Sequence, residues 1–472
     1  MDTAAADQPS QPPGHADPEK LLEQLVESFH GTAETVIPWF VDQMPRMYFQ
    51  DTDQTTQLSH LKAIVAARSS DRPLDMTLVS DDGSVWTTLR SDDSPGVLAE
   101  IVKHLPMDHS LRAAKVHTSH DGQIVLDTFE FGDPHPFDEN DASQRQKLEQ
   151  TIEWASTNRP DWTPDAIRNH FQNCASDYIN TLTPLRISHH NDLYERVSGT
   201  DGTIVELEQE ADPSLSRITV VFGNARTRTS LERSARLLSR HGISIARAYL
   251  DVVQNPPHGV VTYVGFVVKG PDGQAIDPKS ELWTRVRKDL TRVKWVHYEV
   301  LEMLDRHPRS HIGLTEIMLG LSHLVHQVLS PKARFEFTRE RIVTSVENNL
   351  GLGTQIAQLF KARFDPRGPL TDDTFAAKAT ALESEIERTA SSETARTVML
   401  TMIDAIRHTL RTNYHVHGRF GLALRLDPTF MQNDDRPEMP FGSFFVHGRG
   451  FNGFHVRFQD IARGGLRVVM PR

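Results

Sequence analysis

The feature that most constrains the fold is a set of short strands and one helix whose order occurs twice along the chain. In the first set, residues 76–79 and 85–89 have the alternating pattern of β-strands. A helical pattern follows at 97–105, and two more strand patterns lie at 113–118 and 124–131. A strand, a helix and two strands in this order predict an antiparallel sheet with the helix packed on one face.

The second set repeats the order of elements but not the residues. A strand is predicted at 218–222, a helix at 230–241 that ends before Gly242, and two strands at 244–253 and 260–269. The two sets are therefore a structural repeat. The predicted fold class is α+β, with βαββ units joined by helical connectors.

At 472 residues the chain is expected to contain several domains. The predicted segments are a disordered tail at 1–18, N-terminal helices at 19–70, a first βαββ unit at 74–133, a helical connector at 138–183, a second unit at 185–270, a helical region at 277–414 and the start of a further, incomplete domain at 415–472.

Composition excludes several functional classes. With 51 Lys and Arg against 63 Asp and Glu, the net charge of −12 argues against nucleic acid as a partner. No apolar run approaches the roughly 20 residues of a membrane span, and the first seven residues lack the features of a secretion signal. A single cysteine, Cys174, excludes an intramolecular disulfide framework. We expect a cytoplasmic protein without a membrane or nucleic-acid partner.

Three patterns resemble sites but have simpler interpretations. The glycines of 448–453 match G-x-G-x-x-G, but a strand pattern follows where a dinucleotide site requires a helix, so we interpret them as a turn between strands. His323 and His326 are spaced almost as a helical metal pair, yet both are expected opposite the apolar stripe of their helix, and no further ligand completes a set. Cys174 is interpreted as an inert, small apolar residue. We expect no metal site.

A candidate effector site lies at the predicted strand-to-helix turn at 92–98 of the first unit. Pro95 presets the backbone for a helix start, and Gly96 allows backbone to approach a ligand. Free N–H groups at a helix start can hold the carboxylate of an amino acid. The simpler alternative is a tight turn in which Asp92 or Asp93 caps the helix.

This turn resembles the opening of an ACT domain, a small amino-acid-sensing module. The resemblance implies an amino-acid effector and assigns its binding to Asp93, Pro95, Gly96 and Val97. The second unit has Asn224-Ala225-Arg226 in place of Pro-Gly, which argues against sensing there.

The end of the chain carries the second candidate site. Arg463 is followed by Gly464 and Gly465, and Arg467 lies two residues further on. A guanidinium can hold a carboxylate by two parallel hydrogen bonds, and paired glycines let the carboxylate approach the backbone. A glycine hinge flanked by solvated arginines is the alternative interpretation.

The sequence around this segment resembles the entry into the catalytic region of the large NAD-specific glutamate dehydrogenases. The matching stretches are Thr412-Asn413-Tyr414, residues 423–428, residues 442–446 and, above all, residues 453–467. Upstream, the resemblance extends only to a long N-terminal region with ACT-like units and helical connectors. The fold implied for 415–472 is the first strands of a dehydrogenase substrate domain.

The resemblance implies L-glutamate and 2-oxoglutarate as partners, NAD as cofactor and a homo-oligomer. It assigns the contact with a substrate carboxylate to Arg463, with Gly464 and Gly465 giving access and Arg467 in the same segment. It also places a catalytic lysine and an NAD domain further along, but no lysine follows Lys378 here. We therefore expect no catalytic residue in this chain, an NAD domain absent from it, and no activity of the chain alone.

Three hypotheses remain at this stage. The chain is the N-terminal part of an NAD-dependent glutamate dehydrogenase, or a stand-alone amino-acid-sensing or assembly subunit without catalysis, or a helical scaffold without a ligand.

Overall fold

The computed structural model describes residues 31–91, 96–106, 110–133, 135–255, 259–307, 310–416, 418–431, 440–449, 451–458 and 465–471. The described residues up to Lys294 form one compact unit, and those from Trp295 onward form a second. The expectations for the tail at 1–18 lie outside the described residues.

The first compact unit contains both βαββ sets and the helices before and between them. Its elements are α1 (Thr32–Gln43), α2 (Arg46–Asp51), α3 (Gln54–Ser69), β1 (Asp75–Val79), β2 (Val85–Arg90), α4 (Val97–His104), β3 (Leu111–Thr118), β4 (Val125–Phe131), α5 (Ala142–Asn158), α6 (Pro164–Gln172), α7 (Ser176–Thr181), α8 (Pro184–Val197), β5 (Thr203–Gln209), β6 (Ser216–Gly223), α9 (Thr227–Arg240), β7 (Ser244–Asn255), β8 (Gly259–Lys269) and α10 (Glu281–Arg292).

The eight strands of this unit form one continuous antiparallel sheet. Their order is β1-β2-β4-β3-β7-β8-β6-β5, so the two repeats lie side by side and are joined where β3 pairs with β7. Val116 lies opposite Ala248 at this seam. Each repeat would otherwise present an unpaired strand edge, and the seam satisfies both edges. The sequence predicts the two sets but contains no sign of this pairing.

Strand β5 is an addition to the predicted order. It pairs with β6 along its whole length and follows helix α8, just as β1 pairs with β2 and follows α3. Each repeat therefore consists of a helix, two strands, a helix and two strands.

Helices cover both faces of the sheet. Helix α9 lies over β7 and β8 and packs against α4, so the two helices of the repeats share one face as predicted. On the opposite face, α1 and α3 form a hydrophobic core with Leu89 and Leu126, while α5–α8 form another with Val253 and Tyr263. Neighbours along a strand point to opposite faces, which is why one sheet can contribute to both layers.

The second compact unit consists of helices followed by a small sheet. Its elements are α11 (Tyr298–Arg306), α12 (Ile312–Leu329), α13 (Arg339–Glu347), α14 (Leu350–Arg363), α15 (Asp372–Thr389), α16 (Glu393–Arg407), β9 (Thr409–Thr412), β10 (Gly421–Leu426), β11 (Gly442–Gly448), β12 (Phe451–Arg457) and β13 (Gly465–Pro471). The five strands form an antiparallel sheet in the order β13-β12-β11-β10-β9.

Helix α12 lies at the centre of this unit. It packs against α11, α13, α14 and α16, and strands β10–β12 contact it as well. It is the one helix of the described chain that is long and apolar enough to cross a membrane, but 72% of it is buried inside the protein. Burial of that extent is typical of the core helix of a folded domain.

Candidate functional site

The G-x-G-x-x-G pattern lies in a β-hairpin. Strand β11 ends at Gly448, strand β12 begins at Phe451, and these two residues are paired. Because no helix follows, the loop cannot hold a pyrophosphate at a helix start, as a dinucleotide site requires. The interpretation as a turn between strands is confirmed, and these residues do not fit NAD.

The predicted substrate segment leads into the last strand of the five-stranded sheet. Gly465 is the first residue of β13 and pairs with Arg457, and Arg467 pairs with His455. Arg463 and Gly464 lie outside the described residues. The described backbone therefore shows which sheet carries the segment, and the contact assigned to Arg463 stays a prediction.

Asn413, in the Thr412-Asn413-Tyr414 stretch, has a structural role beside the first strands of that sheet. Its Nδ2 atom donates to the carbonyl of Gly421 over 3.0 Å, and its Oδ1 atom accepts from the backbone N–H of Ala423 over 2.7 Å. One side chain thus satisfies a donor and an acceptor of strand β10 at its beginning. The stretch that carries part of the family resemblance orders the sheet.

Arg419 holds the start of strand β10 against helix α12. Its two terminal nitrogens donate to the carboxylate of Glu316 over 2.8 and 2.5 Å, and its Nε atom donates to the carbonyl of Tyr414 over 2.9 Å. Arg419 is 5% exposed and Glu316 is 8% exposed. The two residues are 103 positions apart, so the sequence offers no local signal of the pair.

A buried cluster of polar side chains connects α12 to the hairpin of β11 and β12. Asn452 donates from Nδ2 to Nδ1 of His323 over 2.5 Å, and its Oδ1 atom lies 2.6 Å from Nδ1 of His447. His323 therefore carries its proton on Nε2, which lies 3.2 Å from Oε2 of Glu299. The amide of Asn452 in this way sets the orientation of both rings.

The expected position of His323 is wrong. The sequence predicts it opposite the apolar stripe of α12, but its side chain is buried, because neighbouring helices and strands surround this helix and leave it no solvated face at that position. Within the described residues, no group of three or more His, Cys, Asp or Glu side chains could hold a metal ion. In the sequence, the cluster could have been located by its polar residues, because they occur within two otherwise apolar elements.

Cys174 lies in the core formed by helices α5–α8. Burial raises the pKa of its thiol well above the ordinary value, and the Nε2 atom of His170 is 3.6 Å from its sulfur. Burial also lowers the pKa of His170 to about 4, so the ring is neutral near pH 7. A thiol held in its protonated form is not a nucleophile, which agrees with the interpretation as an apolar residue.

The structure describes only the second half of the predicted effector turn, from Gly96 onward. Asp93 and Pro95 lie outside the described residues. Gly96 precedes helix α4 with φ +105°, and Val97 is the first residue of that helix. A Cβ atom on Gly96 would lie 3.1 Å from Oγ of Ser239, near the end of α9. Glycine is therefore required here both by its backbone conformation and by the close approach of α9.

The corresponding turn of the second repeat lies beside the end of α4. Oγ1 of Thr227 donates to the carbonyl of Leu111 over 2.7 Å, and Arg228 donates to the carbonyls of Lys103 and Pro106 over 2.6 and 3.0 Å. A cleft of about 670 Å³ opens at this place. Thr227 and Arg228 are thus engaged in joining the two repeats.

Comparison with known proteins finds a match for the second half of the second compact unit. Residues 381–470 match the family model described as bacterial NAD-glutamate dehydrogenase, catalytic domain. The NAD-specific glutamate dehydrogenase of Saccharomyces cerevisiae is 48% identical over 64 residues, which is 13% of this chain and 6% of that protein. Over this region the chain is similar to the large NAD-specific glutamate dehydrogenases.

Two further relatives show how far the similarity to other glutamate dehydrogenases extends. Glutamate dehydrogenase 2 of Dictyostelium discoideum is 36% identical over 86 residues, 18% of this chain and 8% of that protein. The NAD-specific glutamate dehydrogenase of Neurospora crassa is 26% identical over 202 residues, 42% of this chain and 16% of that protein. The aligned parts thus span less than a fifth of the length of these relatives.

The region that matches the glutamate dehydrogenase family model begins inside α15 and contains α16 and the five-stranded sheet. Asn413, Arg419 and Asn452 lie within it, whereas their partners Glu316 and His323 come from helix α12, before the matched region. Helix α12 therefore supplies buried polar partners to strands that match the catalytic-domain model.

Proposed function

We propose that this chain is the N-terminal part of an NAD-dependent glutamate dehydrogenase, which converts L-glutamate, NAD and water to 2-oxoglutarate, ammonia and NADH. In this reaction the hydride leaves Cα of glutamate for NAD, and water then hydrolyses the resulting iminium. The observation that carries the proposal is the match of residues 381–470 to the catalytic domain of the family. The catalytic lysine and the NAD-binding domain lie outside this chain in the proposal, since no lysine follows Lys378.

The proposed role of this chain's own residues is to bind one carboxylate of glutamate. Arg463 supplies a fixed positive charge with two parallel donors, and Gly464 and Gly465 leave the adjoining backbone open to the ligand. The resemblance implies that the smaller glutamate dehydrogenases have Lys-Gly-Gly at this place. Arg463 retains the positive charge of that lysine, but the geometry of its hydrogen-bond donors differs. Strand β13, which begins at Gly465, anchors the end of the segment in the sheet.

Replacing Arg463 by alanine in the complete enzyme is expected to raise the KM for glutamate or lower kcat/KM by about 10- to 100-fold, because about 1.5–3 kcal/mol of charge-assisted hydrogen bonding is lost. Steady-state kinetics with glutamate as the varied substrate measure this. Arg463→Lys should restore part of the loss. Arg388→Ala, at an exposed arginine of α15 within the matched region, is the control and should leave the kinetics unchanged.

Unchanged kinetics for Arg463→Ala would remove this residue from the substrate site. A second experiment tests whether the catalytic lysine and the NAD-binding domain lie outside this chain. The purified 472-residue chain should then form no NADH from glutamate and NAD. NADH formation by that chain at ordinary enzyme rates would contradict the placement of the catalytic lysine outside it.

We further propose that the two repeats are ACT-like units and that the start of α4 binds an amino-acid effector. The left-handed Gly96 and the approach of Ser239 to it support a turn built for close backbone contact. The side-by-side sheet supports the same interpretation, because it brings the helix start of one repeat to the end of the helix of the other.

Titration of the full chain with glutamate and other amino acids should give saturable heat, and Gly96→Ala should weaken that binding about tenfold, because alanine at a left-handed position costs about 1–2 kcal/mol and shifts the turn. Gly83→Ala is the matched control: Gly83 also has a positive φ of +72° but faces open space in the β1–β2 turn. Equal affinities in the wild-type chain and Gly96→Ala would contradict the effector site.

A further inference from the structure

We propose that a second cavity, on the face of the eight-stranded sheet opposite α4 and α9, binds a small organic anion through Arg247. The cavity has a volume of about 350 Å³, within the range of pockets for small molecules. The proposal is independent of the dehydrogenase reaction and of the effector turn.

The cavity lies across the seam between the two repeats. Strands β3, β7, β8 and β6 form its floor, helix α8 forms one wall, and Met47 of α2 contributes from the other side. On strand β7 the neighbours Asp251 and Val252 point in opposite directions: Asp251 lines this cavity and Val252 lines the cleft at the start of α9. The two sites are therefore on opposite faces of one sheet.

Four side chains of lysine and arginine line the cavity, and three of them are paired with a neighbouring carboxylate. Lys115 lies 3.1 Å from Glu130, Arg186 lies 2.5 Å from Glu208, and Arg217 lies 2.6 Å from Glu210. Glu130 is shared with Arg112, which lies 2.6 Å from its other carboxylate oxygen.

Arg247 differs from the other three. Within the part of the chain that the structure describes, no carboxylate is paired with its guanidinium. Asp251 is the other acid of the lining, but it lies four residues along the same strand, about 13 Å away by the rise of a β-strand. A cation in a partly enclosed site without a paired anion is satisfied by an anionic ligand.

The remainder of the cavity is built for an apolar group. A Cβ atom on Gly265 would meet only Cβ of Tyr249 at 4.0 Å, so the floor is open above this glycine. Tyr263 beside it is fixed by a 2.9 Å hydrogen bond from its hydroxyl to the carbonyl of His190, and its ring stacks on that of His190 at 4.8 Å. The ligand class is therefore an organic anion with a flat apolar body, whose charged group is a carboxylate or a phosphate.

The test is calorimetric titration of the full 472-residue chain with two probes that share one apolar body. 1-Naphthylacetate carries the carboxylate and 1-naphthyl phosphate carries the phosphate, while neutral 1-naphthol is the control ligand. Saturable binding of at least one anion, at least tenfold tighter than that of 1-naphthol, is expected. The anion that binds more tightly identifies the source of the charge.

Two variants assign the binding to this cavity. Arg247→Gln should weaken the binding of the anion at least tenfold, and Gly265→Leu, which fills the floor, should abolish it. Arg285→Gln, at an exposed arginine of α10, should change nothing. No saturable binding of either anion up to 10 mM, or equal affinity in Arg247→Gln and wild type, would overturn the proposal. Circular dichroism of each variant verifies the fold, and Arg247→Gln keeps the test decisive if Gly265→Leu does not fold.

Discussion

Arg419→Met is expected to lower the free energy of unfolding of the second compact unit by about 3–5 kcal/mol, the usual cost of removing one partner of a buried ion pair. The substitution leaves the carboxylate of Glu316 buried without the two donors that now hold it. It also leaves the carbonyl of Tyr414 without its donor. Urea unfolding and hydrogen exchange of the α12 and β10 peptides measure the loss.

The matched control is an ion pair near the surface of the same unit. Arg407 donates to Glu383 over 2.6 Å, with side chains that are 43% and 28% exposed. Arg407→Met should cost less than about 1 kcal/mol, because solvent screens both charges. A loss for Arg419→Met no larger than that of the control would contradict the proposed contribution of the buried pair.

The double variant Arg419→Met with Glu316→Leu separates the two causes of the expected loss. If an uncompensated buried charge dominates, removing both partners should recover most of the stability. If the hydrogen bond to the carbonyl of Tyr414 dominates, the double variant should stay as unstable as the single one.

The stability of the first compact unit is expected to fall by about 5 kcal/mol per pH unit as the pH drops from about 6 towards 4, because four buried histidines each contribute about 1.4 kcal/mol per pH unit. Burial lowers the pKa of His60 to about 4, that of His117 to about 3 and that of His170 to about 4, and it lowers the pKa of His190 well below the ordinary value. The unfolded chain binds protons at these rings below its ordinary pKa of about 6.5, and the folded chain does not. Stability is therefore complete above that pH and is lost below it.

Urea unfolding at a series of pH values tests this slope. His170→Phe should reduce it by about one quarter, since one of four proton-linked histidines is removed. His120→Gln is the control at an exposed histidine and should leave the slope unchanged. A slope that is equal in His170→Phe and the wild type would contradict the contribution of His170 to acid unfolding.

The local elements of this protein could be predicted because their causes are local. Alternating residues identified the strands now seen as β1, β2 and β6–β8, and Gly242 does follow the end of α9 with φ +70°. The hairpin at Gly448 was predictable for the same reason, since a strand pattern follows the glycines directly. The family could also be recognised from a contiguous run, residues 453–467, whose motif requires no knowledge of the fold.

Other features depend on residues that are far apart and could not be found in this way. The seam at Val116 and Ala248 joins two strand edges, and the sequences of these strands do not show that the two edges pair with each other. The burial of His323 follows from the helices and strands that pack against α12, and the sequence of α12 does not show which elements these are.

By itself, then, the sequence indicated most of the strands and helices, the resemblance to the glutamate dehydrogenases and the candidate residues Arg463 and Gly96, because each depends on a short stretch of chain. The tertiary structure alone decided which strand edges pair, which charges are buried together, as for Arg419 and Glu316, and where Arg247 faces a cavity. The physical reason is that backbone periodicity acts over a few residues, whereas burial and charge pairing act between parts of the chain that only folding brings together.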